Sequence, residues 1–151
     1  MGGFGHILGG VRSKSERIQE MIGPGAAGGL DPHYAGYFER FNRGDYYEAH
    51  DVLEQLWLKE RHGANGAFYK GLIQLAGAFV HLRKDRLRPA AVLFKLAEAN
   101  LRKYPGMHEH LDVPAVLGLI QKWLGRLEQL KFASNPLDTE GRPQLRLEKA
   151  V

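Results

Sequence analysis

The chain is 151 residues long, 44% hydrophobic and 25% charged, which suits one globular domain around one core. It has no cysteine, so disulfides and thiolate metal sites are excluded and nothing calls for an oxidising compartment. The net charge of +4 is unevenly spread, with seven acids against three bases in residues 31–60 and ten bases against five acids in residues 83–131. That asymmetry, with no aromatics interleaved in the basic run, fits internal complementarity or a homo-oligomer better than a nucleic-acid surface.

Residues 1–30 read as a flexible glycine-rich arm, broken by Gly23-Pro24-Gly25 and Gly28-Gly29, with enough helix formers for one short helix from Ser13 to Met21. The arm has no apolar run before a cleavage site, and His6 stands where a myristoylation motif needs Ser or Thr. Gly2 to Gly10 lacks the Gly-x-x-x-x-Gly-Lys of a phosphate loop. No later stretch reaches membrane length without charge or polar interruption. A soluble, cytoplasmic protein with no membrane partner is therefore expected.

Residues 31–131 form the expected helical domain. Asp31-Pro32 starts a helix carrying Tyr34, Tyr37, Phe38 and Phe41 at helical spacing, and Gly44 stops it. Asp45, with Glu48 three residues on, resembles a capping box opening a second helix to Glu60, with Tyr46, Ala49, Leu53, Leu56 and Trp57 on its apolar face. Residues 67–82 are apolar nearly all round, as a central helix should be. A further helix is expected from Pro89 until Tyr104-Pro105-Gly106, and a last one is capped by Asp112. Residues 132–151, with Pro136 and Pro143, read as a C-terminal tail. Short connections imply antiparallel neighbours, so the fold class is all-α, a compact bundle of about five antiparallel helices. Ala49, Gly71, Ala90 and Ala97 would let helices approach closely in hairpins of tetratricopeptide-like shape. The offset between the two hairpins, residue 44 onto residue 85, is 41 where that repeat has about 34, so the likeness is one of shape alone.

His50 and Glu54 are four apart and Trp57 lies a turn further on, so the three share one side of their helix. His50 falls within the apolar arc and Glu54 at its margin, so both need polar partners from a facing helix. The next helix offers Gln74, which either bridges helices or faces the same pocket, and His81. Asp51 points elsewhere and is expected to face water, and Lys70 is expected to be solvated. His6, His33, His62, His108 and His110 lie near loops or termini and read as surface residues.

The run Phe41-Asn42-Arg43-Gly44-Asp45-Tyr46-Tyr47-Glu48-Ala49-His50-Asp51-Val52-Leu53-Glu54-Gln55-Leu56-Trp57, followed by Phe68-Tyr69-Lys70-Gly71-Leu72-Ile73-Gln74-Leu75-Ala76 and His81, resembles the bacterial and archaeal domain-of-unknown-function family 309. The likeness spans about residues 34–104, and its hallmark His-x-x-x-Glu-x-x-Trp is met by His50, Glu54 and Trp57. The resemblance implies an all-helical fold and a suspected functional motif, with no assigned reaction.

Three readings of the motif stand side by side. His50 and Glu54 fix packing register while Trp57 fills the core. Alternatively they line a cleft, with His50 as general base, Glu54 orienting it, Trp57 as a wall, and Gln74 and His81 completing a small-molecule site. In the third, His50, Glu54 and His81 chelate a divalent metal. The functional expectation is a small-molecule or metal-binding domain with a hydrolytic option, and whether it is an enzyme is left open. The competing class is a noncatalytic protein-interaction or self-association module.

Overall fold

The computed structural model describes residues 13–21 and 29–148. The features expected of residues 1–12 and 22–28, including His6 and most of the glycine-rich arm, lie outside the described residues, as does the end of the chain from 149. In chain order the elements are α1 (Lys14–Met21), α2 (Pro32–Arg43), α3 (Tyr46–Glu60), α4 (Gly66–Arg83), α5 (Leu87–Leu101), β1 (Met107–His108), β2 (Leu111–Asp112) and α6 (Val113–Gln129), with a 3-10 turn at Pro136–Asp138. The protein is an all-α bundle: five main helices, the short α1, and one small antiparallel hairpin among the described residues.

Local signals explain most of the boundaries. The Asp31 side chain accepts a hydrogen bond from the His33 backbone N–H at 2.8 Å, and Pro32 sits in the first turn, where a missing N–H removes no helical bond. Gly44 closes α2 at φ 85°, the left-handed conformation open to a residue without Cβ. Asp112 caps α6 by accepting from the Ala115 N–H at 3.1 Å. The expected capping box of α3 does not form. The Asp45 side chain makes no cap hydrogen bond and lies 3.6 Å from the Arg40 guanidinium, a cation being the stronger partner for a carboxylate. α5 begins two residues before Pro89, because proline is tolerated anywhere in a first turn whose N–H groups have no intrahelical acceptor.

α4 lies at the centre, packed against α3 on one side and α5 on the other. Phe68, Leu72, Leu75, Ala76, Ala78, Phe79 and Leu82 of this helix expose no surface. The small residues stand at close approaches. Ala49, Ala90 and Ala97 are fully buried, and a Cβ on Gly71 would meet Leu101 Cγ at 2.9 Å and Asn100 Cβ at 3.2 Å. Gly71→Leu is expected to force α4 and α5 apart and to lower unfolding free energy by about 1–3 kcal/mol. The change should be read from the urea midpoint at unchanged slope.

Two regions depart from the sequence expectations. His108-Glu109-His110 is part of a hairpin whose turn residues Glu109 and His110 take φ 47° and 64°, the left-handed pair that a two-residue hairpin turn requires. The segment after α6, expected as a tail, lies against the helices as far as residue 148. The Asn42 side chain donates to the Leu145 carbonyl and accepts from its N–H, Leu147 bridges Leu111, and Asn135 donates to the Leu82 carbonyl and to Asp85. Among the described residues no helix is long and apolar enough to cross a membrane.

Candidate ligand site on helix α3

Successive α3 residues turn by about 100°, so positions 50, 54 and 57 share one strip. The structure places that strip at the edge of the core: His50, Glu54 and Trp57 are half-buried. The residue beside them departs from expectation. Asp51, expected to face water, is 7% exposed, because α1 docks over this part of α3.

That docking has three components. Ile18 of α1 is fully buried, Ser15 accepts from Gln55 Nε2 at 3.4 Å, and the Lys14 ammonium lies 2.7 Å from Glu54 and 3.5 Å from Asp51. The His50 imidazole Nδ1 lies 3.2 Å from Asp51 Oδ1. One ligand atom each from His50, Asp51 and Glu54 fall within 4.8 Å of one another. The imidazole is thus oriented by Asp51, and Glu54 is engaged by a lysine from α1.

The Lys14 hydrogen bond holds the Glu54 carboxyl below its ordinary value, with His50 and Lys70 adding smaller contributions of the same sign, and the same pair raises the Lys14 ammonium. A depressed carboxylate contributes stability that is complete above the unfolded-state value of 4.5 and is lost as pH falls through the folded-state value. The melting-temperature advantage of the natural protein over Lys14→Met is therefore expected to shrink as pH drops below about 4.5, which thermal scans at pH 6 and pH 3 would check. The two side chains are 44% and 30% exposed, so solvent screening keeps the effect small.

Trp57 packs against the core with one face under the Lys70 ammonium, 4.4 Å from the ring centroid. Lys70 is thereby more than a solvated lysine: it covers the tryptophan and contributes to the field at Glu54. The other two expected members lie elsewhere. Gln74 accepts from Asn100 of α5 at 2.7 Å, which is the helix-bridging alternative. His81 is outside the group of three; burial first, then Arg86 and Lys84, push its imidazole below the ordinary value, and its Nδ1 is buried without a partner. An open cleft of about 620 Å³ lies between the start of α5 and residues 132–138 and includes none of the expected residues. His108, expected at the surface, is held by Asn65 at 2.7 Å between the Phe68 and Tyr104 rings, where it fastens the hairpin to the α3–α4 loop.

Sequence reasoning missed Lys14 and Asp51. Helical periodicity places Asp51 off the motif strip and gives no warning that a second helix covers it. Lys14 is 40 residues from Glu54, beyond any local signal.

Comparison with known proteins adds little about chemistry. A relative from Aquifex aeolicus (strain VF5), described as an uncharacterized protein, is 25% identical over 88 residues, 58% of this chain. The chain spans only 26% of that relative's length. No solved structure matches. Residues 34–93, which run from α2 into α5 and carry His50, Asp51, Glu54 and Trp57, match the family described as a domain of unknown function, DUF309.

Proposed function

We propose that the His50–Asp51–Glu54 cluster, walled by Trp57, is a ligand-binding site that takes a divalent metal ion in first place and a small polar molecule otherwise. The observation that carries this reading is the convergence of one imidazole nitrogen and two carboxylates within 4.8 Å on a single helix. Mixed nitrogen and oxygen donors suit zinc or manganese. Lys14 supports it further, since its ammonium lies against both carboxylates where a cation is favoured. A metal ion must displace that lysine, and α1 is then a cover whose release accompanies loading. An ion held by three protein ligands keeps open positions and polarises bound water, so hydrolysis is the activity to assay.

Titration calorimetry with zinc and manganese, on protein purified without a metal-affinity tag, tests the reading. Saturable one-to-one binding is expected, weakened at least about tenfold by Glu54→Gln and strengthened by Lys14→Ala. Heats that do not saturate, or binding indifferent to both substitutions, would sink it.

A second reading, a noncatalytic interaction or self-association module, is favoured by Val92 and Leu96. They stand one turn apart on α5 and are 57% and 45% exposed. Light scattering over a hundredfold range of concentration separates the two, since only the self-association reading expects a mass that rises and then reverts in Val92→Asp/Leu96→Asp.

A further inference from the structure

A second cluster lies at the N-terminus of α3, about one turn before His50, and serves none of the chemistry above. Arg83, at the end of α4, and Arg142, in the C-terminal segment, both turn toward Gly44. A Cβ built there would stand 2.8 Å from Arg83 Nη2, 3.0 Å from Arg142 Cδ and 3.2 Å from Arg142 Nη1. Two exposed cationic side chains thus lie against one glycine. Neither forms an ion pair with a carboxylate among the described residues. Arg142 donates to the Arg43 carbonyl, while Arg83 lies over the Tyr46 ring, 5.3 Å from its centroid. The nearest acid in sequence, Asp45, is turned to Arg40, and Glu48 is exposed one turn along α3.

Two independent features point to what is missing. Tyr46 is 2% exposed, and its hydroxyl is fully covered with no hydrogen-bond partner, an uncommon state for a buried hydroxyl. Burial raises this hydroxyl above its ordinary value, and Arg83 and Arg142 oppose that rise only in part. The site also sits at the start of a 15-residue helix whose Asp45 cap makes no side-chain hydrogen bond. The first N–H groups of α3 therefore remain available to an anion and carry the positive end of the helix dipole.

We propose that Arg83, Arg142, the Tyr46 hydroxyl and the N-terminus of α3 form a binding site for a phosphate group. Guanidinium forks match tetrahedral oxyanions in geometry as well as charge. Gly44, without a Cβ, lets both arginines lie close against the backbone at the start of α3. A bound phosphate would relieve the repulsion between the guanidiniums and, by drawing Arg83 off the ring it now lies over, uncover the tyrosine hydroxyl and give it an acceptor.

The test is titration of the full chain with inorganic phosphate, followed by calorimetry and by melting temperature, against potassium chloride at matched ionic strength. Saturable binding with a rise in melting temperature beyond the chloride control is expected. Arg83→Gln, which removes no hydrogen bond among the described residues, should weaken binding by about tenfold. Tyr46→Phe should weaken it several-fold without lowering the melting temperature of phosphate-free protein. Glu54→Gln should leave phosphate binding unchanged, which separates this site from the proposed metal site. Equal responses to phosphate and chloride, or phosphate binding untouched by Arg83→Gln and Tyr46→Phe, would overturn the assignment. Arg83→Gln keeps the test decisive if Arg142→Gln, which also removes a bond to α2, fails to fold.

Discussion

Phe79→Ala is expected to lower the unfolding free energy by about 3–5 kcal/mol. The Phe79 ring meets Phe41 of α2 at 5.5 Å, Tyr46 of α3 at 5.1 Å, Phe94 of α5 at 5.2 Å and Trp123 of α6 at 5.0 Å between centroids. Four helices meet α4 through this ring. Truncation removes the buried area and leaves a void that helices held on four sides cannot collapse to fill. Phe79→Leu, which retains most of the volume, should cost much less. For a chain of this length the alanine loss corresponds to a fall in melting temperature of the order of 10 °C. Thermal denaturation read by circular dichroism and, with Trp57→Phe added so that Trp123 is the sole tryptophan, by fluorescence should move together; separate transitions would show that α6 is not part of the same cooperative unit.

Leu145→Ala is expected to cost about 2–4 kcal/mol although the residue lies 16 positions beyond the end of α6. Its side chain is 5% exposed and belongs to the same core cluster as Phe79 and Trp123. Its backbone is pinned at both polar groups by Asn42, at 2.7 and 2.8 Å, so the segment cannot easily drift to fill the gap. Urea unfolding would settle the size. A loss below about 0.5 kcal/mol would mean that the segment rests on the helices without contributing to their stability, and that residues 31–131 are the independent folding unit.

These two residues also mark the line between what was legible in the sequence and what was not. The helix content, the central place of the helix over residues 67–82, and the closing glycine at position 44 follow from short-range causes: hydrophobic period, capping oxygens and the left-handed freedom of glycine. His50, Glu54 and Trp57 could be placed on one strip for the same reason, since a regular helix converts spacing directly into direction. Leu145 could not be placed, because Leu145 and Leu147 alone among prolines and charges are too few to set a period, and the burial of Leu145 depends on an amide contact with Asn42 103 residues away.

The same division runs through the candidate sites. By itself the sequence determined which side chains share a face of α3. Only the tertiary structure decided which of them meet: α1 brought Lys14 onto Glu54 and buried Asp51, α5 drew Gln74 to Asn100, and the C-terminal segment carried Arg142 to Gly44. The physical reason is that helix geometry is local, whereas partners for buried polar groups are chosen by whichever segment packs against them, at separations that no pattern within one helix records.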